Sequence, residues 1–488
     1  MKLYHIAILF VIALLGCSAT RTVTVQPDPI TQLRKSINSI LADSLFISAR
    51  ASIKVVSLEN GNILYDHDSK ALMNPGSNMK LLTSAAALSI LDTNYQFKTA
   101  VFIDDFSSGG IIAGNIYLKG YGDPDLKTSD LDSLANAVRR MGIISIEGNI
   151  VVDDSFFDEN YWGAGWTWDD ESDPDAPYIN ALSVNKNCIR ITLLTDSTTI
   201  YPYLEPMTDF VTVVNRAKLT SDSIHIPLKI KRLYLNNPNT IVIDGELVRF
   251  SKFTQQFSLR RPEYYTGTLL KESFRHAGIL VYGNVVNGVT PIGAREIAQH
   301  YQPIEKMITN MNKVSDNLSA ENALKILGII MNEIPGSSKN GISAVKRFLS
   351  NLGIDTSKFS IVDGSGVSRY NLLSADQLVQ FLTAMYKQQR IFPIFYNSLP
   401  LAGVDGTLAR RMTTYPAACN LHAKTGNLKG VSCLSGYVLT RDGEMLVFSM
   451  MMQNFITPNT NYHQVQDRIG ALLAGFSRKK TIQQGLSK

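Results

Sequence analysis

The sequence predicts an α+β fold, an antiparallel sheet flanked by helices, with β-rich inserted domains in its middle. Three observations predict it. The chain opens on helix, hairpin, helix and closes on strand, strand, strand, helix, so its two ends share one texture. Between about Asn94 and Gly293 that texture gives way to strand-like runs punctuated by Gly, Asn and Asp. Of 488 residues, 45% are apolar and 18% charged, close to the soluble globular average, which excludes a disordered, collagen-like or disulfide-dense chain. At roughly 150 residues per domain, this length makes about three domains. Lys plus Arg is 47 and Asp plus Glu is 42, a net charge of +5. Spread over this length, and without a basic block interleaved with aromatics, that charge does not point to nucleic acid.

Met1-Lys2 is a short basic start and Leu3–Leu15 is nearly all apolar. The run falls short of the about 20 residues that cross a bilayer and reads as a secretory signal over 1–16. It ends in Leu14-Leu15-Gly16-Cys17, which resembles a bacterial lipobox. That resemblance implies cleavage before Cys17, a diacylglyceryl group on its thiol, and a periplasmic protein held to a membrane, expected to be the outer one, by lipid alone. An ordinary signal peptide that happens to contain a cysteine is the alternative. Residues 17–29 form a polar tether, and no later stretch approaches 18 apolar residues. With Cys17 lipidated, Cys188, Cys419 and Cys433 remain, and an odd number argues against a disulfide framework. A turn near Leu428 would set Cys433 opposite about Ala423, away from Cys419, so all three read as free thiols. The absence of CxxC and HExxH motifs, with only seven scattered His, gives no metal site.

Ile30, Leu33, Ile37, Ile40 and Leu41 carry helical spacing through about Phe46. Ala51–Leu58 and Ile63–Asp66 read as strands joined at Asn60-Gly61. A helix starts near Ser77 and runs to about Leu91. In the middle stretch the strand-like runs are Ile116–Leu118, Ile150–Val152, Ile189–Leu194, Val211–Val214 and Thr240–Ile243, with helices at about Asp130–Met141 and Thr268–His276. Helices return from about Pro303, and Ser374-Ala375-Asp376-Gln377 fits an N-cap with its capping-box glutamine. Asn420–Lys424, Val431–Leu439 and Met445–Met452 are the closing strands, with Asp442-Gly443 as a turn, and Asn461 to about Phe476 is the last helix.

Three short elements carry chemistry. Ser77-Asn78-Met79-Lys80 places a serine and a lysine one helical turn apart, on one face. A serine hydroxyl needs a neighbouring base, and a lysine serves only as the neutral amine, which burial or a nearby positive charge such as Lys424 provides. The same spacing recurs at Ser183, Ser343 and Ser477, so alone it means little. Ser315-Asp316-Asn317 sits in a loop between helical patterns. Its serine could relay a proton, and its asparagine could hold a carbonyl or orient the lysine; a helix-capping loop is the plain reading. Lys424-Thr425-Gly426 lies on a predicted strand. There Lys offers a positive charge, Thr a donor to a carboxylate, and Gly a close backbone approach. A strand end with an exposed lysine is the plain reading.

Order and context make the three specific together, and they match the signature set of penicillin-binding proteins and class A β-lactamases. The chain resembles the serine D-Ala-D-Ala carboxypeptidase/endopeptidase family of class C low-molecular-mass penicillin-binding proteins (penicillin-binding protein 4 type, peptidase family S13). The resemblance covers nearly all of the mature chain. It rests on Pro75-Gly76-Ser77-Asn78-Met79-Lys80-Leu81-Leu82-Thr83, Gly122-Asp123-Pro124, Trp166-Thr167-Trp168-Asp169-Asp170, Asp363-Gly364-Ser365-Gly366 through Ser368-Arg369, and Leu399-Pro400 to Gly403 with Asp405-Gly406. The long gap from Ser77 to Ser315 suits this family, which inserts domains there. Leu428, two after Gly426, is a departure at a pocket position that varies.

The resemblance implies a β-lactamase/transpeptidase-like domain over 30–93 and 298–488, split by an inserted domain over 94–187 and 257–297, itself split by a β-rich domain over 188–256. It implies a serine hydrolase of peptidoglycan stem peptides, acylated covalently by β-lactams, with no metal or organic cofactor. Ser77 would be the nucleophile and Lys80 its base. Ser315, supported by Lys424, would pass the proton to the leaving amine, Lys424 and Thr425 would hold the terminal carboxylate, and Asn317 and Gly426 would complete the catalytic and substrate-binding sets. The N–H groups of Ser77 and Asn427 would form the oxyanion hole. Asp170 and Arg369 would grip the amine and carboxylate of diaminopimelate; a surface ion pair or loop contact is the plain reading of each. Asp363 and Ser365 read as turn formers. A β-lactamase shares the three elements but fits the long gap poorly, and a non-catalytic wall-binding lipoprotein of the same fold is the remaining alternative.

Overall fold

The computed structural model of the chain describes residues 28–105, 109–222, 226–233, 235, 237–332 and 334–479. The signal segment, Cys17 and most of the tether lie outside them. The fold is α+β. Its organising element is an antiparallel five-stranded sheet in the order His422–Leu428, Val431–Leu439, Met445–Gln453, Arg50–Ser57, Ile63–His67. Side chains alternate across a strand, and here both faces are covered. Leu434 and Val438 enter a core with the helices Pro29–Leu41 and Asn459–Ala474. Cys433 and Tyr437, one residue out of step, enter the opposite core with the helix Met79–Ile90. That helix is buried from Met79 to Leu88, as expected where apolar residues surround a helix on all sides.

Turn chemistry explains where the elements differ from the sequence reading. The helical run expected through Phe46 stops at Leu41, and the Asp43 side chain accepts from Leu45 N–H to start a separate 3-10 turn over Ser44–Phe46. The hairpin between His422–Leu428 and Val431–Leu439 turns at Lys429-Gly430, just past Leu428, where Gly430 takes φ +75°. Cys433 therefore faces Gly426 instead of Ala423, and Lys424-Thr425-Gly426 lies in mid-strand. Cys188, Cys419 and Cys433 are free thiols, the first and last buried. Ser374 caps the helix Ala375–Tyr386 with Gln377 completing the capping box, a device worth about 1 kcal/mol.

The middle of the chain leaves and rejoins at one place. Arg295–Pro303 runs antiparallel to Gln96–Ile103, with Pro303 opposite Gln96, so the step expected between 297 and 298 falls inside a strand. These two strands belong to a second five-stranded sheet with Ile116–Gly120, Ile150–Asp153 and Val285–Asn287. The helices Thr128–Arg140 and Pro262–His276 contribute to the core of this region. One apolar core runs on from there into the strands of 188–256, through Ile189, Ile191, Ile241 and Ile243. The segment between Ile150–Asp153 and Cys188–Thr195 reaches back toward the residues around the first sheet. Trp166 Nε1 donates to Asp363 Oδ2 at 3.0 Å, and Lys186 pairs with Asp316. Among the described residues no helix is long and apolar enough to cross a membrane.

Candidate active site

Ser77 lies on a 3-10 turn, Gly76–Asn78, that runs directly into the helix Met79–Ile90. The helix start favours negative charge at this point. Three glycines, one of them in the turn, let two distant segments close on it. A Cβ on Gly366 would sit 1.9 Å from Gly76 carbonyl oxygen, one on Gly426 2.5 Å from Pro75 carbonyl oxygen and 3.1 Å from Ser77 N, and one on Gly76 3.2 Å from Asn427 N. The amides of Ser77 and Asn427 are thereby held across a narrow backbone contact.

Lys80 is completely buried and donates to three acceptors: Asn317 Oδ1 at 2.5 Å, Ser365 carbonyl at 2.6 Å and Ser77 Oγ at 3.0 Å. Burial lowers its pKa to about 8, against the upward pull of Asp363, Glu321, Asp316 and Asp175. Lys424 is also fully buried. It donates to Ser315 Oγ at 2.9 Å and to Thr425 carbonyl at 3.0 Å. Burial first, and the Lys80 charge second, push it well below its ordinary value. The like-charge effect thus falls on Lys424, whereas the sequence reading had it helping to neutralise Lys80. Both hydrogen-bond acceptors of Lys424 are neutral, so a ligand carboxylate would be the group that restores its charge.

Ser315 takes φ +64°, a left-handed conformation uncommon for a residue with a Cβ, and the helix Asn317–Asn332 begins two residues on. Asp316, between the two site residues, accepts from Ser319 and pairs with Lys186, which also reaches Asp125 at 2.5 Å. Burial would raise the Asp316 carboxyl, but the Lys186 ammonium and the Ser319 donors together outweigh it and the net shift is downward. Asn317 Nδ2 donates to the Asp175 carbonyl, which fixes its Oδ1 toward Lys80.

A cleft of about 320 Å³ opens over these groups, and Ser77, Ser315, Asn317, Thr425, Asn427 and Asp170 are among the residues that line it. Leu428 lines it too, as does Thr407, whose Oγ1 accepts from Thr425 Oγ1 at 2.7 Å. Asp170 Oδ2 also caps its own turn, accepting from Thr167 N and Oγ1, both at 2.8 Å. Arg369 is exposed and bonds the Lys429 carbonyl with both terminal nitrogens at 3.3 Å. The carboxylate that feels its charge is Asp169, held below its ordinary value first by Thr167 and then by Lys429 and Arg369.

Asp363 accepts from Gly366 N, Ser368 N, Asn371 Nδ2 and Trp166 Nε1, so it builds the turn that presents the Ser365 carbonyl to Lys80. The other three Ser-x-x-Lys elements are engaged elsewhere: Ser183 bonds the Asn180 carbonyl, Ser343 the Lys339 carbonyl, and Ser477 Asp442. Sequence reasoning missed Asp173, Asp175 and Thr407 in the cleft, and Glu321 behind Lys80. Only Glu321 left a trace, since it stands four residues after Asn317 and shares its helix face.

Comparison with known proteins places this arrangement. The D-alanyl-D-alanine carboxypeptidase of Actinomadura sp. (strain R39) is 32% identical over 470 residues, covering 92% of this chain and 85% of that protein. A D-alanyl-D-alanine carboxypeptidase of Haemophilus influenzae is 29% identical over 416 residues, covering 82% and 85%. The crystal structure of penicillin binding protein 4 from Haemophilus influenzae superposes with a TM-score of 0.79 at 25% identity, over 89% of this chain and 97% of that one. A predatory endopeptidase of Bdellovibrio bacteriovorus, at 16% identity and a TM-score of 0.52, shares the fold. The profile of the D-Ala-D-Ala carboxypeptidase 3 (S13) family matches residues 33–475, nearly everything the structure describes, and the chain belongs to that family of serine peptidases.

Proposed function

We propose that the protein hydrolyses D-Ala-D-Ala bonds, and cross-links to D-Ala, in peptidoglycan stem peptides through an acyl-enzyme on Ser77. The triple contact of Lys80 carries this reading. A neutral amine has two N–H donors and one lone pair. With Asn317 Oδ1 and the Ser365 carbonyl accepting the two hydrogens, the lone pair is left for the hydroxyl of Ser77. Lys80 removes that proton as Ser77 Oγ attacks the carbonyl carbon of the penultimate D-Ala. The oxyanion forms between the N–H groups of Ser77 and Asn427, a donor pair in which each member contributes about 3–4 kcal/mol. Ser315, bonded to Lys424, passes a proton to the departing amine. Lys424 and Thr425, beside Gly426, hold the terminal carboxylate, and water then cleaves the ester. Side chains fill the acid and base roles and backbone N–H groups the electrophilic one, so the reading calls for no metal or organic cofactor.

Asp170 lines the cleft and would meet the diaminopimelate amine, and Arg369, now bonded to the Lys429 carbonyl, would turn to its carboxylate. The lipobox-like Leu14–Cys17 supports a periplasmic, lipid-anchored protein whose catalytic domain is interrupted by an insertion that leaves through Gln96–Ile103 and returns through Arg295–Pro303. Incubation with benzylpenicillin tests the nucleophile. Intact mass should rise by one penicillin, carried on the peptide that contains Ser77. Label on Ser183, Ser343 or Ser477 would defeat the assignment, absence of label would favour a non-catalytic wall binder, and rapid release of hydrolysed drug would favour a β-lactamase. Masses of products from monomeric and cross-linked muropeptides then show which bonds are cut.

A further inference from the structure

Glu321 is fully buried, one turn along the helix from Asn317. Its Oε1 accepts from the backbone N–H groups of Gly364 at 3.0 Å and Ser365 at 2.8 Å. The peptide it grips is the one whose next carbonyl, that of Ser365, accepts from Lys80, and Thr83 Oγ1 donates to the Gly364 carbonyl at 2.7 Å. Among the described residues Glu321 Oε2 is buried without a hydrogen-bond partner.

The charged groups around it are accounted for. Lys80 faces it from the nucleophile helix and Asp363 from the turn. Lys325, on its own helix, is taken by Asp158 Oδ1 at 2.5 Å and the Asn160 carbonyl at 2.7 Å. Asp363 already accepts four donors. Asp316 and Asp175 act on Lys80 from the far side, and Lys424 lies beside it. An ionised carboxylate with one bare, buried oxygen is strongly disfavoured here, whereas the acid form still lets Oε1 accept both N–H groups.

We propose that Glu321 is a positioning residue for acylation: as a neutral acid it fixes the Gly364–Ser365 peptide, and so the carbonyl against Lys80, without setting another negative charge beside that amine. Burial and the Asp363 charge push its pKa up to about 8, in keeping with the acid form at neutral pH. Once ionised, Glu321 would favour the Lys80 ammonium and so remove the lone pair that acylation uses. The inference rests on Lys80 as the base for Ser77.

The test is the second-order rate of acylation by benzylpenicillin, measured from about pH 6 to 10 on the wild type, Glu321→Gln and Glu321→Ala. Gln, neutral at every pH, should keep the wild-type plateau. Its ascending limb, where Lys80 loses its proton, should lie at lower pH than in the wild type, because no carboxylate can form beside Lys80. Ala leaves two buried N–H groups without an acceptor and should lose roughly tenfold or more in rate. A Gln limb at the same or a higher pH, or an Ala variant at the wild-type rate, overturns the proposal. Thermal melts check folding, and if Ala does not fold, the Gln profile decides alone. A wild type that is not acylated on Ser77 defeats the Lys80 reading itself, while a wild type labelled there with an unmoved Gln limb defeats only the role of Glu321.

Discussion

Gly426→Ala perturbs the approach of the Lys424 strand to Ser77 directly. The added methyl would sit 2.5 Å from the Pro75 carbonyl oxygen, 3.1 Å from Ser77 N and 3.2 Å from Asn78 N. All three neighbours are backbone, so no rotamer change relieves the contact, and roughly 1 Å of separation has to open between the strand and the nucleophile turn. Overpacking of this kind costs about 1–3 kcal/mol of stability. The larger effect is on rate. A 1 Å misplacement of a reacting group can cost ~100-fold, and loss of one oxyanion donor costs ~100- to 1,000-fold. Since the movement separates Asn427 N from Ser77 N, acylation by a fluorescent penicillin should slow by ~100-fold or more while a cooperative melt persists at a reduced midpoint. Pseudo-first-order labelling at several drug concentrations gives the rate constant. A value within threefold of the wild type would show that the close approach of these two backbones is not what activates Ser77.

Two further outcomes follow from the geometry. Asp170→Ala should cut turnover of diaminopimelate-containing stem peptides by about 10- to 150-fold, the value of one charged hydrogen bond realised in the transition state, and leave acylation by simple penicillins nearly unchanged; equal losses on both would show that its cap on Thr167 matters more than recognition. His463, whose Nε2 lies 2.8 Å from Asn427 Oδ1, has its pKa lowered to about 4 by burial and then by Arg411, against the pull of Asp467. Between about pH 4 and 6.5 the unfolded chain binds this proton and the folded chain does not, so stability is lost as pH falls through that window. His463→Gln should flatten melting temperature against pH there, and an unchanged slope would remove His463 as the cause.

The sequence announced the elements whose spacing is local and left silent those made by distant contacts. Ser77 and Lys80 could be paired from a helical turn, and Lys424-Thr425-Gly426 assigned to a strand, because periodicity fixes which side chains share a face. The hairpin register was displaced because the turn depends on Gly430 adopting positive φ, which composition does not specify. Asp175 and Thr407 are invisible from spacing, since their relation to Asn317 and Thr425 exists only after tertiary folding. Asp363 illustrates the converse: reading it as a turn former was right in structure, yet the turn it forms presents a carbonyl to Lys80, so a scaffold role and proximity to chemistry coincide. Asp170 and Arg369 came only from resemblance, and the fold brings the first to the cleft while holding the second to the Lys429 carbonyl.

The strand order has a consequence for how the protein is made. Arg50–Ser57 lies beside Met445–Gln453, with Arg50 opposite Gln453 and Ser57 opposite Leu446. Ribosomes add ~5–20 residues per second from the N-terminus, so Ser77 and Lys80 are synthesised long before Asn317, Ser365 and the Lys424 strand that complete their surroundings. Until the last strands emerge, Arg50–Ser57 has a hairpin neighbour on one side and an open edge on the other, a template for wrong pairing. A chain without its last strands therefore carries Ser77 and Lys80 but neither the Lys424 strand nor Asn427, the groups proposed to bind the carboxylate and complete the oxyanion hole. Under the proposed mechanism such a chain would neither cut a peptide nor be acylated by a β-lactam until its last strands were in place.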